Sequence, residues 1–334
     1  MLIPDCWYAV LESREADAGR PLGVRRLGED LVFWRDGQGR LSVLKDRCPH
    51  RSSQLSLGKI VAGRLQCPFH GFQYDGDGAC QFIPANGRAA HVPRVFQCRV
   101  YPAQEAHGFV WVWHGLPRDE YPPIPWFSDL ESFAYASTSK EWDVDMSRAI
   151  EGLLDVSHLP FVHARTIGRN GKTLVNGPFT TLEDDTIRVW VTNQPDEGLP
   201  AARPTQLPPP EKPPSVEFRF PNAWMLRIAD GFRIVNVVAP VEEGRCVNYL
   251  RSYVKTSLPA VLVRLVGRLG SFYNLRILAE DYAVIRSQSP RVGDLDIGEH
   301  FIPADRPIAV YLQHRRDRIE AAAGLTAESP SGAP

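Results

Sequence analysis

Two short pairs constrain this chain more than anything else in it. Cys48-x-His50 and Cys67-x-x-His70 lie in the stretch CPHRSSQLSLGKIVAGRLQCPFHG, with sixteen residues between His50 and Cys67. Both sit at turns between candidate strands, so a fold that uses them together brings two loops to one point. Pro49 and Pro68 stiffen those loops, and Gly71 allows the second to turn tightly. The flanking sequence reads as β-structure. DLVFWRD (30–36) and RLSVLKD (40–46) flank Gly37-Gln38-Gly39 as a hairpin, and GFQYD and ACQFIPA flank Gly76-Asp77-Gly78 as another. GFVWVWHG (108–115) is aromatic and β-branched, as a buried strand requires.

Cys-x-x-Cys pairs dominate zinc sites, and Cys-x-His is unusual there, so zinc is the competing reading. Two Cys and two His are the ligand set of a Rieske [2Fe–2S] centre, with two thiolates on one iron and two imidazoles on the other. Neutral imidazoles leave the cluster less negative than four thiolates would, and its potential rises. The segment closely resembles the Rieske domain of ring-hydroxylating oxygenases, including Arg51 after the first His and Gly71-Phe72 after the second. Rieske proteins of respiratory chains carry an additional Cys in each loop. The stretches His50-Arg51-Ser52-Ser53 and Cys67-Pro68-Phe69-His70 have none, so the resemblance is to the ferredoxin-like and oxygenase branch. Cys6, Cys80, Cys98 and Cys246 are expected to be buried or incidental, since their spacing suggests no disulfide framework.

A Rieske ferredoxin needs only the first third of this chain. The Pro-rich stretch GLPRDEYPPIPWF (115–127) reads as a domain boundary, with residues 1–118 before it and 119–322 after it. Beyond it, 147–158 and 258–288 have helical character, while 179–194, 216–228, 231–240 and 245–256 alternate like strands. That pattern is α+β, built on an antiparallel sheet. LPAARPTQLPPPEKPP (199–214) reads as a loop, either a cover over a pocket or an exposed insertion. Residues 323–334 are small and polar and read as a disordered tail.

The informative stretch of the second part is EGLLDVSHLPFVHARTIG (151–168), with Asp155, His158 and His163. Asp155 and His158, at i and i+3, are expected to share a helix face. Pro160 is expected to disturb the helix and let His158 and His163 converge. Either His by itself reads as an ordinary core or surface residue. Two His and one carboxylate leave open positions on Fe(II), the facial triad where oxygen binds. The stretch resembles the mononuclear iron motif of the same oxygenase family, in which both His are ligands. The family's Asp at the position of Asp155 is not usually a ligand. It bridges, by hydrogen bonds, a ligand His to a Rieske His of a neighbouring subunit, which implies an electron path and a head-to-tail homotrimer. Many members carry Asn three or four residues before that Asp, where this chain has Gly152 and Glu151. The segment NLRILAEDYAVIRSQSP (274–290) resembles the family stretch whose Asp supplies the third ligand. That points to Asp281, with Glu280 as the rival; Asp294 and Asp296 lie in a Gly-flanked loop.

The resemblance covers residues 5 to 315. It implies an N-terminal all-β Rieske [2Fe–2S] domain followed by an antiparallel-sheet-plus-helices, helix-grip-like catalytic domain holding mononuclear Fe(II). It further implies a terminal oxygenase of the phthalate/vanillate/dicamba type. An NAD(P)H-dependent reductase, a ferredoxin, or both supply its electrons. With O2 it hydroxylates or oxidatively demethylates an apolar or aromatic small molecule, as a monooxygenase or demethylase rather than a dioxygenase. The alternative is a Rieske electron-transfer or redox-sensing protein. The pocket lining is expected from Trp224, Leu226, Ile228, Val235 and Val237, with Asn236 and Asn248 as polar contacts. A formal net charge of −1 points away from nucleic acid. The most apolar run, 258–270, is cut by Arg264 and Arg268 and does not read as a membrane span. The N-terminus lacks the charged and apolar regions of a signal peptide, and a reducing cytoplasm is the default.

Overall fold

Short strands and tight turns build the first of two units, Asp5–Ile124 together with Ala239–Glu242. The computed structural model describes residues 1–16, 19–258 and 260–327. In this unit β1 (Cys6–Glu12), β9 (Ala103–Ala106) and β10 (Phe109–His114) form one antiparallel sheet, in the order β1-β10-β9. β2 (Leu22–Arg26), β3 (Glu29–Arg35) and β4 (Leu41–Lys45) form a second. β5 (Lys59–Val61), β6 (Arg64–Gln66), β7 (Gln73–Tyr74) and β8 (Cys80–Phe82) form a third. Both expected hairpins are present: β3 pairs β4 with Phe33 opposite Val43, and β7 pairs β8 with Tyr74 opposite Cys80. The spacer between the two Cys/His loops is itself a hairpin. β5 and β6 turn at Ala62 and Gly63, both at positive φ (48° and 75°), the handedness that two-residue hairpin turns require. Trp34, Leu44, Leu55, Leu65, Phe72 and Tyr74 bury themselves around Cys48 and Cys67.

The second unit takes in Met1–Pro4, Pro125–Val238 and the chain from Glu243 onward. The chain leaves the first unit at Ile124, inside the Pro-rich stretch. Seven strands make one antiparallel sheet in the order β11-β17-β16-β15-β14-β13-β12. They are β11 (Ala134–Trp142), β12 (Leu174–Glu183), β13 (Thr186–Gln194), β14 (Val216–Arg219), β15 (Ala223–Ala229), β16 (Phe232–Glu242) and β17 (Arg245–Val254). Among the described residues four α-helices accompany it: α1 (Met146–Leu154), α2 (Leu159–Val162), α3 (Ala260–Ile285) and α4 (Arg306–Ala327). α3 lies along the sheet, with Asn274 donating to Ser252 Oγ (3.1 Å) and Tyr282 against Trp142 (centroids 5.5 Å). α4 buries Tyr311 against Phe218 and Phe220.

Two expectations change. The helix expected over 147–158 stops at Leu154. The stretch expected as a tail begins inside α4, whose Ala-rich end propagates to Ala327; residues 328–334 lie outside the described residues. The Pro-rich stretch 199–214 is a loop, as expected, and two bonds hold it: Ala202 N–H donates to Asn176 Oδ1 (2.8 Å), and Trp190 Nε1–H to Lys212 O (2.7 Å). No helix of the described residues is long and apolar enough to cross a membrane.

Candidate metal centres

The two Cys/His loops have the same backbone architecture. Cys48 N–H bonds Ser53 O (2.8 Å) and Ser52 N–H bonds Cys48 O (2.9 Å). Cys67 N–H bonds Phe72 O (2.8 Å) and Gly71 N–H bonds Cys67 O (3.1 Å). The residue four after each Cys is left-handed, Ser52 at φ 60° and Gly71 at φ 73°. A side chain at Gly71 would also be crowded, since a Cβ would sit 3.0 Å from Pro84 Cγ. Both thiols are 2% exposed, while both imidazoles are exposed, with ring centroids 4.7 Å apart. His50 stacks on Phe72 at 4.7 Å and 7°. Two soft sulfurs inside and two nitrogens outside are the donor set of a [2Fe–2S] cluster with inequivalent irons, and these residues fit that group.

Sequence reasoning missed Tyr74. Its hydroxyl lies 3.1 Å from Cys48 Sγ. Burial first, then the neighbouring Cys48, holds it well above the usual tyrosine range, so it stays a donor toward that sulfur. Cys98 belongs to the same core, and burial pushes its thiol up to about 12. Cys6, Cys98 and Cys246 are buried, Cys80 is half-buried, and none of the four forms a disulfide among the described residues.

In the second unit, one ligand atom each from His158, His163 and Asp281 can be chosen so that all lie within 4.8 Å of one another. His163 Nε2 is 2.9 Å and His158 Nε2 is 3.6 Å from Asp281 Oδ1. The far nitrogens are held elsewhere: His158 Nδ1 by the backbone carbonyl of Asp155 (3.1 Å), His163 Nδ1 by Glu280 Oε2 (2.9 Å). Thr166 Oγ1–H donates to the same Glu280 oxygen (2.6 Å). Burial would lower His163, but Asp281 and Glu280 outweigh it and hold it above the ordinary value. Burial would raise Glu280, but Thr166 and His163 hold it below. Two imidazoles oriented through their outer nitrogens and one carboxylate fit a facial-triad iron. The rivalry between adjacent acids has a geometric form: Asp281 faces both imidazoles, and Glu280 backs one of them.

Asp155 and His158 do not share a helix face. α1 ends because Asp155 is extended (ψ 121°) and its Oδ1 accepts from Ser157 N–H, Ser157 Oγ–H and His158 N–H. Such Asx bonding competes with the helix and starts a new turn. Pro160 then sits in the first turn of α2, where its missing N–H costs nothing. His158 and His163 flank that single turn, which is how they converge. Burial would raise Asp155, but His158 and Ser157 outweigh it and keep it below the usual carboxylate range.

A cavity of about 350 Å³ adjoins the triad, lined among others by Asp155, His158, Asp281, Val284 and Phe301. One wall is an ion-pair relay. Buried Arg148 bonds Glu151 Oε2 and Glu299 Oε1, both at 2.7 Å, and Pro290 O at 2.9 Å. Burial pushes Glu151 up to about 7 against the pull of Arg148. Gly152 brings α1 close to α3, since a Cβ there would lie 2.5 Å from Ile285 Cδ1. No spacing signal in the sequence pointed to Arg148. The expected lining residues do not line this cavity. Register explains part of it: Trp224 pairs with Asn236, and Met225 with Val235. Trp224, Leu226 and Asn236 therefore share one sheet face, and Val235 and Val237 the other.

Comparisons with known proteins agree with both centres. Residues 6–101 match the Rieske [2Fe-2S] domain, and residues 142–320, more than half the chain, match the vanillate O-demethylase oxygenase C-terminal domain. The chain is 35% identical over 163 residues to the chloroplastic protein TIC 55 of Arabidopsis thaliana, covering 48% of this chain and 30% of that protein. It thus spans under a third of that relative's length. It is 28% identical over 332 residues to methylxanthine N1-demethylase NdmA of Pseudomonas putida, covering 95% of this chain and 88% of the relative. The solved structure of Pseudomonas putida CBB5 NdmA superposes with a TM-score of 0.79 at 25% identity, over 96% of this chain and 92% of that one.

Proposed function

The chain belongs to the Rieske-type oxygenases, as a terminal component of the vanillate O-demethylase branch, and on that premise we propose that it oxygenates or oxidatively demethylates a small aromatic molecule. The observation that carries this is the convergence of His158, His163 and Asp281 in a chain that also holds a Rieske domain. An electron carrier has no use for a second site with two imidazoles and one carboxylate. Electrons enter in residues 1–118 and the reaction takes place in 119–322. Cys48, His50, Cys67 and His70 would hold the cluster; His158, His163 and Asp281 would hold iron. The cluster supplies single electrons and the ferrous ion activates O2 when bound.

The chain's own residues orient and supply that chemistry. Glu280 and the Asp155 carbonyl fix the two ring orientations, so each Nε2 points inward. Asp155 Oδ1 is spent on capping, which leaves Oδ2 to meet a cluster imidazole of a neighbouring copy in a head-to-tail homotrimer. The demethylase and matching domain named above support an aromatic substrate bearing a methyl group. An NAD(P)H-dependent reductase, with or without a ferredoxin, is the electron source. A reducing cytoplasm keeps Cys48 and Cys67 as thiols, available to the cluster, rather than as disulfides.

The test is iron and acid-labile sulfide per chain on anaerobically purified protein. The expected ratio is about three irons to two sulfides. Formaldehyde release from methoxy- and N-methyl-aromatic compounds, coupled to oxygen uptake, then identifies the substrate. A ratio of about two to two that persists after incubation with ferrous iron would overturn the proposal in favour of an electron carrier.

A further inference from the structure

Two buried polar atoms of the second unit sit on neighbouring strands with no hydrogen-bond partner among the described residues. Trp224 and Asn236 lie directly opposite each other across β15 and β16, which puts their Cβ atoms about 5 Å apart on one sheet face. Asn236 is 0% and Trp224 8% exposed. Asn236 Nδ2–H donates to Asn248 Oδ1 (3.0 Å), while Asn236 Oδ1 and Trp224 Nε1 are left unpaired. Buried polar atoms are nearly always bonded, so an acceptor and a donor left open side by side call for a ligand that completes both.

That face is the one the helices cover. Phe218, opposite Trp224, packs on Tyr311 of α4 (centroids 5.4 Å). Asn248 and Cys246 alternate onto the same side of β17, and Trp142, opposite Cys246, packs on Tyr282 of α3 (5.5 Å). Tyr282 directly follows Asp281. The open pair therefore lies on the sheet between α4 and the helix that carries the third metal ligand. Its surroundings are apolar. Phe218 and Ile187 continue its row across β14 and β13, and half-buried Leu226 and Ile234 adjoin it toward the β15–β16 turn. Charge is kept away from it: Arg188, Arg219, Arg227 and Arg233 alternate onto the opposite face, and Lys140, opposite Asn248 on the edge strand, is exposed to solvent.

We propose that Trp224 and Asn236 read the substrate's polar edge, and that the substrate is a neutral aromatic molecule offering an acceptor to Trp224 Nε1–H and a donor to Asn236 Oδ1. The N–H and C=O of a cyclic amide do this at neighbouring atoms, and the hydroxyl of a phenol does it at one. The proposal rests on the oxygenase reading for what becomes of the bound ring. An aromatic carboxylate fits poorly, because it brings only acceptors, and a charge, to a sheet face whose arginines point the other way. Reversing the Asn236 amide would set a second donor beside Trp224 and select a group that only accepts, which the test separates. A site built around a hydroxyl or N–H rejects the analogue lacking it far more strongly than it rejects a change in size.

The test measures binding by calorimetry to the full chain with its cluster loaded and its mononuclear iron stripped. The probes are a methoxyquinolone, its N-methyl analogue, a methoxyphenol, a methoxybenzoate and anisole. The methoxyquinolone or the methoxyphenol should bind about 100-fold more tightly than the other three. Trp224→Phe and Asn236→Leu should each erase most of that preference and leave anisole binding within about threefold of wild type. An unchanged visible spectrum shows that a variant is folded, and the wild-type panel decides alone where a variant is not. Binding of the methoxybenzoate or the N-methyl analogue as tight as that of the leading probe would overturn the proposal. So would a preference that survives both substitutions, or no binding by any probe. The two readings fail separately. Selective binding without formaldehyde release after iron loading and reduction removes the oxygenase reading and keeps the recognition pair; formaldehyde release from the methoxybenzoate alone does the reverse.

Discussion

The Glu280 carboxylate lies 2.9 Å from Nδ1 of His163, on the ring nitrogen that does not face Asp281. Two adjacent acids on α3 therefore have different work, one toward the metal position and one behind a ligand. Glu280→Gln should weaken ferrous iron binding about 10- to 100-fold. Asp281→Asn should abolish it under the same conditions, and the visible spectrum of the cluster should survive both changes. Ferrous titration of iron-stripped protein separates them; an Asp281→Asn protein that binds iron better than Glu280→Gln would reverse the assignment.

The Tyr74 hydroxyl lies 3.1 Å from Cys48 Sγ; toward a thiolate it can only donate, and a donor to a thiolate stabilises the more negative, reduced cluster. A hydrogen bond worth about 1 kcal/mol corresponds to roughly 40 mV for one electron. Tyr74→Phe should lower the midpoint potential by about that much, with the ring packing preserved. A redox titration followed by absorbance checks it, and an unchanged or raised midpoint would contradict the role of the hydroxyl.

The side chain of Asp155 caps a turn, whereas its backbone carbonyl orients His158. Deleting the carboxylate should therefore leave the ring in place. Asp155→Ala is expected to retain both metals and to slow single-turnover oxidation by about tenfold or more, the scale of a lost charged hydrogen bond. Normal single-turnover rates in the pre-reduced variant would argue against a bridging role.

How far the sequence led depended on whether a feature was local. The two cluster loops were legible because ligand type and spacing lie within a few residues. Ser52, which matches Gly71 in conformation, was not, because nothing in serine advertises a left-handed backbone. The Ala62-Gly63 turn lacks the Asn or Asp that marks such hairpins. β11 was missed because AYASTSKEW is small and polar, with little alternation to read. The break at Asp155 was placed at Pro160 instead, since proline is the louder signal and the Asx bonding of Asp-x-Ser-His is quieter. Arg148 and Glu299 meet across 151 positions, which no local pattern encodes. The expected pocket lining mixed residues from both sides of the sheet because β15 and β16 were read as lists rather than as alternating faces.

Glu151 offers the pH test. Burial holds its carboxyl at about 7 in the folded chain, against an ordinary value of 4.5. Between those values the folded state binds a proton that the unfolded state has released, so stability falls as pH rises. The contribution is fully present below about pH 4.5 and lost as pH passes 7. Glu151→Gln keeps the shape and removes the titration. The stability of wild type minus that of the variant should therefore decline from pH 5 to pH 8, by on the order of 3 kcal/mol. Urea unfolding of both proteins across that range measures the difference. A flat difference would mean that Arg148, which bonds Glu151 at 2.7 Å, keeps the carboxylate ionised throughout.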